Sequence, residues 1–370
     1  MTTPIARPGA VLLNGASRFK LAVFGANVSG GCSVTSAAGT IRVDWPESRR
    51  LAQLADAAGL DAMIPVARWR GFGGETNFND RCFETFTWAA GVAAVTTRIQ
   101  VFATMHVPTV HPVLAAKEAV TIDHISGGRF GLNLVAGWNE PEIRMFGLEQ
   151  RPHDERYAVA DEWATVVKRI WTEDTFDFAG RFFRLPGVHG EPKPLQRPGP
   201  AIMSAGQSPA GTAFAARHAD LQFIFVPDLA QAPAIIADLK RNAREQHGRE
   251  IRVMSLANVV CRATEQAARE YYHHYVHEKG DWVAAANLVT GAVPNSQSAD
   301  FRNDRFIEAV VAGYGAIPLI GTPEQVADAM LQLADAGLDG VTLSWVDYAE
   351  GITRYAEELL PRLRARGLRE

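Results

Sequence analysis

The segment ISGGRFGLNLVAGW, residues 125–138, decides the fold class of this 370-residue chain. A segment of helical periodicity with a proline at its start precedes it, and Gly127-Gly128 ends that helix as C-terminal glycines do. Residues 130–135 are then apolar except for Asn133. This pattern is typical of a strand buried on both faces that keeps one inward position for chemistry. A buried Asn needs a hydrogen-bond partner, which either a ligand or neighbouring backbone can supply.

Strand-like and helix-like segments alternate on both sides of this segment. Strands are predicted at residues 20–27, 62–67, 100–107, 130–135, 201–204, 221–226, 252–261 and 340–345. Helical patterns separate them, and one opens with a capping box formed by Thr322 and Gln325. The alternation predicts a parallel sheet, and the eight units favour its closure into a (β/α)8 TIM barrel of the α/β class. An open doubly wound sheet is the alternative, although no GxGxxG motif follows the first strand.

The domain organisation that we expect is a single barrel, residues 19–370, behind a loose N-terminal arm, residues 1–18. Two insertions interrupt the alternation. Residues 173–200 carry turn residues and Phe pairs, which predict a small hairpin with a proline-rich exit. Residues 279–314 are long, rich in Asn, Ser and Asp, and lack clear periodicity. They are predicted to be a mobile lid over the site, with a plain disordered insertion as the alternative.

Composition excludes several classes of function. The chain is 47% apolar with a net charge of −4, and its Lys and Arg residues are scattered, so nucleic acid is not an expected partner. No apolar run approaches the roughly 20 residues that span a bilayer. The cysteines Cys32, Cys82 and Cys261 are odd in number and far apart, which favours a reducing cytoplasm. HExxH, Walker and GxSxG motifs are absent, and no metal is predicted.

The active site of a TIM barrel lies at the C-terminal ends of its strands. The candidates collected there are Ala67 and Arg68 after the second strand, Thr104 and His106 on the third, and Asn133, Trp138 and Glu142 from the fourth. The loop SAGQSPAG, residues 204–211, follows the fifth strand, and its small residues at Gly206–Ser208 leave N–H groups free for a phosphate. Arg156 and Tyr157 could contact the same phosphate, with a surface Arg–Glu pair as the alternative for Arg156.

Residues 111–138, HPVLAAKEAVTIDHISGGRFGLNLVAGW, are similar to the signature of the bacterial-luciferase-like flavin monooxygenases, and the similarity extends from Phe19 to Met330. Within that superfamily, residues 70–74, 83–104 and 204–211 (RGFGG, FETFTWAAGVAAVTTRIQVFAT and SAGQSPAG) resemble the pyrimidine monooxygenases of uracil catabolism. Residues 27–31, 43–59 and 153–157 (NVSGG, VDWPESRRLAQLADAAG and HDERY) are instead similar to dimethylsulfone and related organosulfur monooxygenases.

This resemblance implies an enzyme that uses reduced FMN and O2, with the hydride supplied by a separate NAD(P)H:flavin reductase. The positions that match FMN contacts of the family are Ala67, Arg68, Asn133, Glu142, Arg156, Tyr157 and Ser208. Those that match its oxygen pocket are Ile64, Thr104, Asn133 and Trp138. Thr104 and Asn133 would hydrogen-bond the charge that develops on oxygen, while Ile64 and Trp138 would exclude water.

The expected function is therefore a two-component FMN-dependent monooxygenase, a homodimer or homotetramer in the cytoplasm, that cleaves a small substrate at a C–N bond of an N-heterocycle or amide. One alternative is the same chemistry at the C–S bond of a sulfone or sulfonate. A second is an F420-dependent oxidoreductase on the same barrel, and a third is a flavin-binding protein without catalysis. Side chains on variable loops select the substrate, so the sequence leaves its identity open.

Overall fold

The computed structural model describes residues 7–226, 228–292 and 304–370. Its strands, in chain order, are β1 (Lys20–Phe24), β2 (Ala62–Ile64), β3 (Gln100–His106), β4 (Phe130–Val135), β5 (Thr175–Ala179), β6 (Arg184–His189), β7 (Ala201–Ser204), β8 (Leu221–Phe223), β9 (Arg252–Cys261), β10 (Ile317–Gly321) and β11 (Gly340–Ser344). Eight of them are hydrogen-bonded in the order β1-β2-β3-β4-β7-β8-β9-β11, and β11 pairs with β1. Every pairing in this ring is parallel, so the predicted TIM barrel is confirmed.

Helices surround the barrel and cover the apolar outer faces of its strands. The longer ones are Trp45–Ala57, Thr85–Val95, Pro112–Ser126, His153–Thr172, Pro209–His218, Ala232–His247, Glu265–His273, Trp282–Ala292, Asp304–Gly313 and Pro323–Asp335. Shorter ones are Val11–Asn14, Glu140–Met145, Tyr348–Arg354 and Leu360–Ala365, with π-helical turns at His274–Glu278 and Tyr355–Leu359 and a 3-10 turn at Val107–Thr109. None of the helices in the described ranges has both the length and the apolarity of a membrane-crossing segment.

Local sequence signals account for the end of the helix before β4 and for the start of the helix Pro323–Asp335. Gly127 ends Pro112–Ser126 at φ 66°, a left-handed conformation that glycine adopts without steric cost. The capping box at the start of Pro323–Asp335 is confirmed, because the Thr322 hydroxyl accepts from the Gln325 N–H and the Gln325 side chain accepts from the Thr322 N–H. The predicted boundaries of β4, β7 and β9 agree with those of the structure.

Strand β10 is absent from our sequence prediction. It pairs in parallel with the second half of β9, from Ile317 against Ala257 to Gly321 against Cys261. β9 extends beyond the end of β8, and β10 occupies the side of β9 that β8 leaves free. Pro318 lies within this strand, which is consistent with its place at the edge of the sheet, since proline is confined to strand edges and ends. At the edge of the sheet its missing N–H costs nothing.

The prediction of a loose N-terminal arm is wrong for residues 7–18, which the structure describes. The helix Val11–Asn14 packs at the end of the barrel where the strands begin, with Ala10 and Leu12 fully buried. The Leu12 N–H donates to the side-chain oxygen of Gln100, the first residue of β3, over 3.1 Å. Burying these apolar side chains against the barrel floor outweighs the entropy of ordering a short segment.

The predictions for the two insertions have different outcomes. The predicted hairpin is confirmed, since β5 and β6 pair antiparallel from Thr175 against His189. The long loop predicted for residues 279–314 is wrong where the structure describes it, because Trp282–Ala292 and Asp304–Gly313 are helices. The first helix is apolar on nearly every face, which hid its periodicity. Residues 293–303, which include the most polar part of the predicted lid, lie outside the described residues.

Candidate active site at the C-terminal ends of the barrel strands

A cavity of about 340 Å³ opens at the C-terminal ends of the barrel strands. Most of the predicted site residues line it, namely Ala67, Arg68, Thr104, Asn133, Trp138, Arg156, Tyr157, Gly206 and Ser208. Aromatic side chains supply part of the wall, with the rings of Phe24 and Phe223 stacked at 6.0 Å between centroids. The cavity therefore combines apolar walls with a few polar groups, which is the usual composition of a cofactor or substrate site.

One end of the cavity is formed by the loop after β7, residues 205–208, a candidate anion cradle. The loop leads into the helix Pro209–His218, which begins at Ser208, whose hydroxyl accepts from the Gly211 N–H over 3.1 Å. A Cβ at Gly206 would lie 2.5 Å from the Tyr157 hydroxyl, so only glycine permits this close approach. In the described part of the chain, no acceptor takes the N–H of Gln207 or Ser208. Free N–H groups at a helix N-terminus favour a bound anion.

Arg156 and Tyr157 stand beside this cradle on the helix His153–Thr172. Arg156 is only 5% exposed and donates to the carbonyl of Gly137. The surface Arg–Glu pair that was its alternative is not formed, since Glu155 pairs with Arg151 instead. Burial lowers the pKa of Arg156 and raises that of the Tyr157 hydroxyl. A buried guanidinium beside a helix N-terminus is stabilised by an anionic ligand.

Asn133 on β4 and Thr104 on β3 lie side by side in the parallel register of the two strands. The Thr104 hydroxyl donates to the carbonyl of Pro65 over 2.6 Å and accepts from the Asn133 amide over 3.0 Å. Asn133 is 6% exposed, and its Oδ1 is buried without a hydrogen-bond partner among the described residues. An unsatisfied buried acceptor costs about 1–3 kcal/mol, so it marks a position where a ligand donor would bind.

The opposite end of the cavity contains the buried ion pair of Arg68 and Glu142. Arg68 Nη1 lies 3.3 Å from both carboxylate oxygens of Glu142, and Nη2 donates to the Tyr314 hydroxyl over 3.1 Å. The Cζ atom of Arg68 lies over the parallel rings of Phe72 and Trp138, 5.1 Å from each centroid. Burial opposes its charge, but Tyr314 and Glu142 together raise the pKa of Arg68.

Two predicted residues do not line the cavity. Glu142 is fully buried, and besides Arg68 it accepts from the backbone N–H groups of Trp69 (2.7 Å) and Arg70 (3.2 Å). It therefore holds Arg68 and its loop in place. Ile64 is the last residue of β2, and its side chain packs in the barrel interior with Phe102. The wall above it is formed by the segment from Pro65 to Arg68.

Several lining residues were missed or given no role in the sequence analysis. The helices Trp282–Ala292 and Asp304–Gly313 place Leu288, Val289 and Val310 on the cavity, and Tyr314 follows the second helix. Tyr314 has a φ of 62°, a left-handed conformation that costs about 1–2 kcal/mol for a residue other than glycine. This conformation ends the helix Asp304–Gly313, because the Tyr314 N–H donates to the carbonyl of Val310 and the Gly315 N–H to that of Ala309. Glycine or asparagine is usual at such a position, so a tyrosine there gives no sequence signal.

His106, the last residue of β3, lines the same cavity at 4% exposure. Its Nδ1 lies 3.8 Å from Glu142, which is longer than a hydrogen bond. Burial and the charge of Arg68 lower the pKa of His106 to about 4, so the ring is neutral at physiological pH. Across the residues that the structure describes, no group of three or more His, Cys, Asp or Glu could hold a metal ion.

Comparison with known proteins shows which proteins this chain resembles in sequence and in fold. The profile of the luciferase-like monooxygenases matches residues 21–340. Pyrimidine monooxygenase RutA of Klebsiella pneumoniae subsp. pneumoniae is 35% identical over 330 residues, which cover 86% of this chain and 89% of the relative. Riboflavin lyase RcaE, solved with modified FMN and riboflavin, has a TM-score of 0.84 at 21% identity, covering 95% of this chain and 93% of that chain. DmoA from Hyphomicrobium sulfonivorans has a TM-score of 0.80 at 21% identity, covering 95% of this chain and 89% of that chain.

Proposed function

Since the chain belongs to the luciferase-like monooxygenase family, we propose that it is a two-component FMN-dependent monooxygenase that cleaves a small substrate at a C–N bond of an N-heterocycle or amide. The observation that carries the proposal is one cavity with an anion cradle at Gly206–Ser208 and an unpartnered buried acceptor at Asn133 Oδ1. A phosphate-bearing cofactor whose ring carries N–H donors satisfies both features.

The residues present fit FMN in three respects. The free N–H groups of the loop and Arg156 would hold the phosphate. The apolar wall that includes Phe24 and Phe223 would take the isoalloxazine ring. Asn133 would accept from a ring N–H through Oδ1 and keep one amide hydrogen for oxygen or substrate. Trp138, stacked on Arg68, would limit the access of water to this end of the cavity.

Bound reduced FMN supplies the two electrons by which one oxygen atom of O2 enters the substrate while the other leaves as water. The protein contributes geometry and charge. Membership of the luciferase-like monooxygenase family supports our assignment of the NAD(P)H step to a separate flavin reductase. The name of the relative RutA supports an N-heterocyclic substrate and hence a C–N bond.

A turnover assay under ¹⁸O2 tests the proposal. The protein is supplied with FMN, a flavin reductase and NADH, together with a panel of pyrimidines, amides, dimethyl sulfone and methanesulfonate. We expect a C–N cleavage product carrying one ¹⁸O atom, with NADH and O2 consumption that rises with that substrate. Cleavage only of the sulfur compounds would move the reaction to a C–S bond. Turnover without O2, or FMN binding without any substrate-dependent O2 consumption, would contradict a monooxygenase.

A further inference from the structure

His106 is a buried polar residue whose hydrogen-bonding capacity is unused. Its Nδ1 is fully buried without a partner, and no group in the described ranges bonds the other ring nitrogen. The nearest carboxylate oxygen, at 3.8 Å on Glu142, already serves Arg68. An imidazole that is 4% exposed and lacks partners is unfavourable unless a ligand completes its hydrogen bonds. Since His106 lines the cavity, that ligand binds within it.

His106 lies away from the end of the cavity where we propose that the phosphate binds. β4 lies between β3, which carries His106, and β7, which leads into the anion cradle. His106 follows Thr104 by two residues on β3, so its side chain leaves the same face about 7 Å closer to the mouth. It is near the pair of Arg68 and Glu142, which Tyr314 connects to the helix Asp304–Gly313. A substrate entering above the flavin would meet this group.

The charges at this end of the cavity are balanced. Arg68 is the guanidinium that faces the cavity here, and Glu142 neutralises it within 3.3 Å. Leu288, Val289 and Val310 add apolar surface from the two helices over the cavity. An anionic substrate would therefore have to be desolvated without a free cation among the described residues at this end to pair with it, at a cost of several kcal/mol. A neutral molecule with a polar group avoids that cost.

We propose that His106 hydrogen-bonds the polar group of the substrate, and that this substrate is an uncharged amide, lactam or N-heterocycle. The inference rests on the proposed function, because it takes the other end of the cavity to be filled by FMN. A neutral imidazole has one donor and one acceptor nitrogen, so it can bond either the N–H or the C=O of such a group. The structure thus gives His106 the role of a specificity-determining residue.

Matched neutral and anionic probes test this inference on the FMN-loaded protein. The pairs are benzamide and benzoate, uracil and orotate, and acetamide and acetate, and binding is followed by the change in the absorption of oxidised FMN. We expect at least one neutral probe to bind saturably and its anionic counterpart at least about 10-fold more weakly. Tighter binding of the anions, or no response to any neutral probe, would overturn the inference.

Substitutions at His106 provide the second arm. His106→Leu should raise the Kd for the neutral probe about 10-fold while the Kd for FMN changes less than about 2-fold. His106→Gln keeps a donor and an acceptor and should restore part of the lost affinity for the probe. His247→Leu, at an exposed histidine that ends the helix Ala232–His247, is the matched control and should leave both values unchanged. If His106→Leu weakens FMN but not the probe, the residue contacts the flavin and the inference fails. If the wild-type protein does not bind FMN, the proposed function itself fails.

Discussion

The amide nitrogen of Asn133 donates a hydrogen bond of 3.0 Å to the hydroxyl of Thr104. That hydroxyl has one hydrogen, which it donates to the carbonyl of Pro65 over 2.6 Å. The direction of the Asn133 amide is therefore set by the network, and Oδ1 is left as a buried acceptor. Both residues are among the four that the resemblance assigns to the oxygen pocket, and we infer that Asn133 contacts the ligand and that Thr104 is a positioning residue.

Substitution of these two residues should have unequal effects on coupling. We expect Asn133→Ala to lower the product formed per NADH by about 10²-fold, as the removal of a preorganised polar group at a reacting oxygen does. Thr104→Ser keeps the hydroxyl, so its product formed per NADH should remain close to that of the wild type. Thr104→Val leaves the Pro65 carbonyl without its donor, so its product per NADH should lie between the values for Thr104→Ser and Asn133→Ala. Product and H2O2 are measured together in one assay. A loss in Thr104→Ser as large as that in Asn133→Ala would contradict this division of roles.

Glu142 should matter for stability more than for direct contact with the cofactor. Glu142→Ala leaves the buried Arg68 unpaired and two backbone N–H groups unbonded, so we expect a loss of about 3–5 kcal/mol in the free energy of unfolding. Glu140→Ala removes an exposed carboxylate from the same helix and should cost less than about 0.5 kcal/mol. Urea denaturation at neutral pH measures both. Equal stability of the two variants would show that the pair is not structural.

The buried His106 should make the protein less stable in mild acid. Burial and Arg68 lower the pKa of His106 to about 4 when folded, whereas it titrates near 6.5 when unfolded. As the pH falls from about 6.5 to about 4, the unfolded state binds the extra proton, so stability decreases in that window. From pH 7 to pH 5 the wild type should lose about 2 kcal/mol more than His106→Leu. His218, whose pKa burial also lowers to about 4, contributes to both proteins. Identical losses in both would contradict the lowered pKa of His106.

The two helices over the cavity should become more protected when the site is filled. Leu288, Val289 and Val310 line the cavity, so a bound ligand would bury their outer contacts and oppose local opening. We expect slower amide hydrogen exchange in Trp282–Ala292 and Asp304–Gly313 with FMN and substrate than with FMN alone. The hairpin β5–β6 has no lining residue and serves as the internal control. Unchanged exchange in both helices would argue against a lid.

The sequence was sufficient for the barrel and for much of the candidate site. Strand and helix periodicity predicted the eight-strand ring, and the position of parallel strand ends brought Arg68, Asn133 and Ser208 to one cavity. It failed where tertiary contacts override local signals. The edge strand β10 forms only through its pairing with β9, and Leu12 is ordered by its contact with the first residue of β3. Tyr314 ends the helix Asp304–Gly313 in a left-handed conformation, a role for which a tyrosine gives no sequence signal.

The roles of individual side chains were harder to predict than their positions. Glu142 matched a cofactor contact by resemblance, yet its oxygens bond Arg68 and two backbone N–H groups, and it does not line the cavity. The sequence analysis named His106 as a candidate at the end of a strand but assigned it no role. Periodicity does not show which ring nitrogens lack hydrogen-bond partners. Such differences arise from the hydrogen-bond network, and the network is defined only once the strands are in register.

The central claim, that this cavity holds FMN with its phosphate in the cradle beside Arg156, is tested most directly by a comparison of FMN with riboflavin. Riboflavin lacks the phosphate, so the ratio of the two Kd values isolates the contribution of the cradle. Arg156→Ala should weaken the binding of FMN by about 1.5–3 kcal/mol, because a charge-assisted contact to the phosphate is lost. The affinity for riboflavin should not change. Arg151→Ala, at an exposed arginine just before the same helix, is the control and should alter neither value. A ratio in Arg156→Ala equal to that of the wild type would contradict the account.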